Sequence, residues 1–198
     1  MNTSVSSASK PPVKGRSIST QNLVLAGMFA ALLAVISQIS IPLPTGVPVT
    51  IQVFGIALVG TVLGWKLGVF SVLVYILLGC AGLPIFANFQ GGIQSLVGMS
   101  GGYIIAWPVL AVLAGLPVKT SNKALGFFCS AFLAILGLMI VELAGALQWS
   151  LLTDQMSFGA IMAYSFVAFI PKDIVITVLA VSVGRQIRKP LEKAGYLK

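Results

Sequence analysis

The sequence predicts an all-α integral membrane protein of six transmembrane helices with both termini in the cytoplasm, and three observations predict it. The 198 residues are 58% hydrophobic and 8% charged, with a mean hydropathy of +1.03, where a soluble domain carries about 25% charged residues. Long uncharged apolar runs recur between short polar or proline-rich connections. When those connections are assigned alternately to two sides, Lys10, Lys14, Arg16, Lys66, Lys119, Lys123, Arg185, Arg188, Lys189, Lys193 and Lys198 share one side, which is 11 of the 12 basic residues. The positive-inside rule makes that side cytoplasmic, and the exception is Lys172.

Residues 1–20 are rich in Ser, Lys and Pro, contain no apolar h-region, and read as a disordered basic arm rather than a cleaved signal. Residues 21–198 read as a single transmembrane domain. The first span, 21–40, is about twenty residues without a charge, enough to cross hydrocarbon at about 1.5 Å per residue. Residues 41–50 include Pro42, Pro44 and Pro48, which deny backbone donors to a helix and predict an extended connection. A short second span, 51–64, follows. Trp65 and Lys66 make a tight turn, and 67–81 returns as the third span.

Residues 82–102 are Gly-rich and uncharged, and predict a long loop too apolar to be simply solvated. The fourth span is 103–116. The fifth, 124–147, is interrupted by Glu142, and a polar connection with Asp154 occupies 148–155. The rest predicts an interfacial segment, 157–169, and a sixth span, 171–187. Pro171 decides this division, because proline suits the first turn of a helix and disrupts its interior.

The chemistry that survives is narrow. With no His in the chain, His-based catalysis and most transition-metal sites are excluded, and Cys80 and Cys129 read as small buried hydrophobes in apolar runs. No G-x-x-x-x-G-K-[ST] loop is present, so a transported solute would draw its energy from another chain. The basic residues lie at chain ends and turns without interleaved aromatics, which argues for membrane orientation and against nucleic acid. Lys172 and Asp173 stand side by side at the entry to an apolar helix. Such charges near lipid mark a candidate ligand site, although a carboxylate in a first helical turn also gains about 0.3–1 kcal/mol from the exposed N–H groups alone. Glu142, about a turn and a half below the outer end of span five, is expected to face the same cavity, or merely to satisfy Lys172. Ala26, Ala30 and Ala34 form a stripe of small residues, open to two readings: close approach of another membrane helix, or packing within the chain.

Pro42, Pro44, Val47, Pro48, Thr50 and Gln52, then Gly79, Gly82, Leu83, Pro84 and Phe86, then Gly91-Gly92 and Gly101-Gly102-Tyr103, together resemble the BioY family, the biotin-specific S components of energy-coupling-factor transporters. The resemblance runs over nearly the whole chain from span one to span six. It implies the S-component fold, a multi-pass protein of a prokaryotic plasma membrane, and capture of biotin from outside. It also implies work with a transmembrane coupling subunit and two ABC-type ATPases, no catalysis by the chain itself, and no cofactor besides biotin as cargo. The Ala26, Ala30 and Ala34 stripe is then the implied docking surface. The family pattern carries a Lys where this chain has Ile176 and a Gly where it has Lys172, whereas Asp173 matches.

Biotin suits the candidate residues, since its ureido ring offers two N–H donors and a carbonyl, and its tail ends in a carboxylate. On that resemblance Asp173 is expected to accept from the ureido N–H groups, Lys172 to pair with the carboxylate or donate to the carbonyl, and Asn88, Gln90 and Gln52 to supply neutral hydrogen bonds, with the end of biotin that each meets left open. A small accessory membrane protein, or an enzyme acting on a lipid, are the competing classes; two outward acids without His disfavour the enzyme.

Overall fold

The computed structural model describes residues 19–154 and 156–197. Residues 1–18 of the expected basic arm therefore lie outside the described residues. Its last two residues are helical in function: Ser19 Oγ accepts from Asn22 N at 3.2 Å and caps α1 (Thr20–Ile36). The proline-rich connection becomes a small hairpin of β1 (Ser40–Ile41) and β2 (Val49–Thr50), with Ser40 opposite Thr50 and Ile41 opposite Val49. Six further helices follow: α2 (Gln52–Cys80), α3 (Gln94–Val97), α4 (Gly101–Ala114), α5 (Lys123–Leu152), α6 (Phe158–Ala168) and α7 (Ile170–Lys193).

α2 is continuous in name only. Gly64 sits at φ 78°, ψ 166°, a left-handed conformation that glycine alone adopts without strain, and the chain reverses there. The amide Nε2 of Gln52 donates to the Tyr75 hydroxyl at 3.2 Å, whereas along an unbroken helix these residues would stand about 35 Å apart. Gly68 backs onto Gly60, where a Cβ on Gly68 would lie 2.9 Å from the Gly60 Cα. The element is thus two antiparallel arms, 52–63 and 65–80, joined at the Trp65–Lys66 turn expected from the sequence. By length and composition alone, α5 is long and apolar enough to span, as are α2 taken with both its arms and the pair α6 and α7 taken together across its 51° bend.

The break between α6 and α7 falls at Phe169, with Pro171 in the first turn of α7, as the proline predicts. α5 departs from expectation. It continues through residues 148–152, expected as a polar connection, because Gln148 and Trp149 face protein and not water, while Leu151 and Leu152 stay exposed. Gln148 Nε2 donates to the carbonyls of Leu96 at 2.7 Å and Gly98 at 2.8 Å, and Trp149 is fully buried. Asn122 starts α5 by accepting from Ala124 N and Leu125 N.

α4 packs on α5 and α2, and α7 lies along α2. α7 and the first arm of α2 run parallel and are tied at both ends. Lys172 Nζ donates to Thr50 O at 2.6 Å, and Arg188 Nη1 donates to Thr61 O at 3.4 Å and Val62 O at 3.3 Å. At the Gly64 end the packing is close: Trp65 N donates to Gly115 O at 3.0 Å, and a Cβ on Gly115 would lie 2.5 Å from Trp65 N. A separate apolar cluster at the other end of the bundle buries Val47 of the hairpin tip with Ala146, Trp149, Ile161 and Phe169.

Candidate functional site

At the end of the bundle opposite Gly64, the β1–β2 hairpin, residues 86–100 and the adjoining ends of the helices enclose a cavity of roughly 660 Å³, its open mouth included. Rings form much of its wall. Tyr75, Phe86 and Trp107 make a cluster with centroids 5.5, 5.9 and 6.3 Å apart, of which Phe86 and Trp107 line the cavity, with Tyr103 and Phe169 beside them. Such pairings hold rings in fixed edge and tilted arrangements. Two glycines seat them. A Cβ on Gly79 would run into the Phe86 ring, and one on Gly145 into the Tyr103 ring.

Residues 82–100 are held by side chains that replace a missing ladder. Ser37 Oγ donates to Ile85 O at 2.5 Å, Gln38 Nε2 to Phe86 O at 3.2 Å, and Tyr75 OH to Ile85 O at 3.0 Å. Gln38 Oε1 also accepts from Phe89 N at 3.0 Å. Gln148 secures the far side of the same stretch. A loop so tied keeps its buried backbone groups paired, which the membrane interior requires.

Of the six ligand residues expected from the sequence, Gln52, Gln90, Glu142, Lys172 and Asp173, which is five, line this one cavity. Asp173 and Glu142 are each only 3% exposed. Lys172 Nζ meets Asp173 Oδ1 at 2.5 Å, and Glu142 Oε2 has no protein hydrogen-bond partner among the described residues. Asn88 stands apart from the other five. Its side chain accepts from Ser40 Oγ at 2.8 Å, it is exposed, and its backbone is left-handed at φ 57°, a conformation Asn tolerates. It ties the loop to β1 and lines no cavity.

The alanine stripe also needs correction. Ala26 and Ala30 are 1% and 3% exposed, and Ala26 O accepts from Ser71 Oγ at 2.8 Å, so both pack against α2; Ala34 is half-buried. Gly27 and Ala31 hold the open side of α1, with nothing near Gly27. Tyr103, Trp107, Phe86, Phe169, Thr50, Ser95 and Ser100 line the cavity without having been singled out as ligand residues. Gly101-Gly102 before Tyr103 was the available signal, because it lets α4 start against Leu96 and Ala144 backbone. Chemically, the cavity can enclose a partly apolar solute between rings and grip its polar groups with two carboxyls, an ammonium, amides and hydroxyls.

Residues 6–193 match the BioY family. The chain is 37% identical over 164 residues to a probable biotin transporter BioY of Pyrococcus horikoshii, covering 83% of this chain and 94% of that one. It is 36% identical over 169 residues to the biotin transporter BioY of Thermotoga maritima, covering 85% and 96%. A crystal structure of the S-component for biotin from an ECF-type ABC transporter superposes with a TM-score of 0.76 at 29% identity, covering 87% of this chain and 95% of that one.

Proposed function

The chain belongs to the BioY family, and from that premise we propose that it is the biotin-capturing S component of an energy-coupling-factor transporter, a substrate-binding membrane subunit and not an enzyme. The observation that carries this reading is the cavity itself: five ligand residues expected from the sequence converge with four aromatic rings at one end of the bundle. The mixture suits a bicyclic sulfur heterocycle with a hydrogen-bonding ureido edge.

We read residues 21–198 as one domain with six crossings: α1, the two arms of α2, α4, α5 and α7, with α6 lying at the interface. Lys66, Lys119, Lys123 and Arg188 belong to the Gly64 end or its neighbouring turns, and Lys172 to the cavity end. That distribution supports a cavity open to the outside of a prokaryotic plasma membrane. Within the cavity, Asp173 accepts from one ureido N–H while Lys172, held against it, donates to the ureido carbonyl. With the ureido ring held at Lys172 and Asp173, the tail points along the same cavity toward Gln90, Ser95 and Ser100.

Uptake needs an energy source, for which the reading adds a transmembrane coupling subunit and two ABC-type ATPases. The open Gly27 and Ala31 face of α1 is the docking surface we assign, because small residues four apart let a second helix approach closely. Calorimetric titration of the detergent-purified chain with biotin tests capture, with saturable one-to-one binding expected and no heat on addition refuting it. Gly27→Trp should abolish copurification with the coupling module and leave biotin affinity within about twofold; an intact complex would remove this face from docking.

A further inference from the structure

A second cavity adjoins the first. Gly46 of the hairpin tip, Phe89, Gln94 and Met99 wall it, and it shares Gln90, Ser95 and Ser100 with the site already described. No Lys, Arg, Asp or Glu lines it. The ammonium of the first cavity is already engaged, since Lys172 Nζ donates to Asp173 Oδ1 at 2.5 Å and to Thr50 O at 2.6 Å. A ligand carboxylate directed toward Gln90, Ser95 and Ser100 therefore finds amides and hydroxyls there and no cation to pair with. Such neutral groups donate to an amide carbonyl as well as to a carboxylate, and can accept from an amide N–H, which a carboxylate does not offer.

Resting on the biotin reading, we propose that the same site takes biotin amides, in which the carboxyl is condensed with an amine such as the side-chain amine of lysine, and that the added substituent lies in the second cavity. Conversion of the carboxylate to an amide breaks no ion pair here, because no Lys or Arg lines this part of the site. Strong rejection of an analogue requires that some buried group be left unpaired. At this end the amide leaves none, because its carbonyl keeps the acceptor and its N–H finds Gln90 or a serine oxygen. The charged end of a lysine substituent stays hydrated, since Phe89, Gln90 and Gln94 around the second cavity are exposed.

Titration of the full chain in detergent with biotin, biotinamide and biotin joined to the lysine side-chain nitrogen tests the proposal. Both amides are expected to bind within about tenfold of biotin. Gln94→Trp fills the second cavity from a residue that does not line the first, so it should leave biotin and biotinamide within about twofold and weaken the lysine conjugate about tenfold or more. A hundredfold loss for biotinamide on the unaltered chain, or a lysine conjugate indifferent to Gln94→Trp, overturns the proposal and leaves biotin capture standing. Failure of biotin itself to bind removes the reading beneath it as well.

Discussion

At the Gly64 end of the bundle the helices close on one another backbone to backbone, whereas at the opposite end rings hold them apart around the cavity. Both ends use glycine. At Gly68 and Gly115 the missing Cβ is replaced by the main chain of another segment, and at Gly79 and Gly145 by the faces of Phe86 and Tyr103. The first arrangement leaves nothing to move and no room for a solute. The second spends the same absent side chain on locating a ring, and a located ring is what shapes a binding wall. An apolar composition that is nearly uniform along the chain thus yields a sealed end and a hollow end, and the contact partner of glycine decides which.

The largest expected effect tests the sealed end. Gly115→Val forces branched carbons into Trp65 N and the Gly60 carbonyl, 2.5 and 2.7 Å from the Cβ position. Overpacking against backbone should cost about 3 kcal/mol or more. Thermal denaturation in detergent should show a large fall in the midpoint, and an unchanged midpoint would dissolve the contrast between the two ends. Next comes the hollow end. Asp173→Asn removes one charge-assisted partner, which should cost about 1.5–3 kcal/mol, or roughly ten- to a hundredfold in biotin affinity, with little change in melting. Asp154→Asn, in the exposed turn between α5 and α6, should leave affinity unaltered. Equal affinities for the Asp173 variant and the parent would take Asp173 out of the site. The smallest effect sharpens the boundary of the cavity. Asn88→Ala loses the bond from Ser40 and a favourable left-handed residue, about 1 kcal/mol of local stability. Its biotin affinity should change less than about twofold by titration, and a tenfold loss would return Asn88 to the ligand.

Much of this was legible where a residue has one physical role. Pro171 marks the start of α7, and Trp65-Lys66 between apolar runs marks the reversal, because a proline or a lone cation has few places to go in a membrane protein. Lys172, Asp173 and Glu142 were legible for the same reason. The sidedness of α1 was not. Ala26, Ala30 and Gly27 stand in a helix apolar all round, where no polar face says which side meets α2. Residues 148–152 misread as a connection because Gln148 is polar, and only the fold supplies the Leu96 and Gly98 carbonyls that make an interior helix out of it. Tyr103 and Trp107 stayed hidden because an aromatic in an apolar span is core by default. Asn88 misled because a polar residue in an uncharged loop serves a turn as readily as a ligand.

The cationic ties at the two ends of α7 carry a mechanical consequence. Lys172 and Arg188 are about 24 Å apart along their helix; Lys172 grips the Thr50 carbonyl just before the first arm of α2, and Arg188 grips the Thr61 and Val62 carbonyls at the far end of that arm. Two parallel rods pinned at both ends resist sliding past each other, so they behave as a single stiff strut. A push delivered at the Gly64 end then arrives at Asp173 and Gln52 as one displacement of the strut, without the two ligand groups shearing apart.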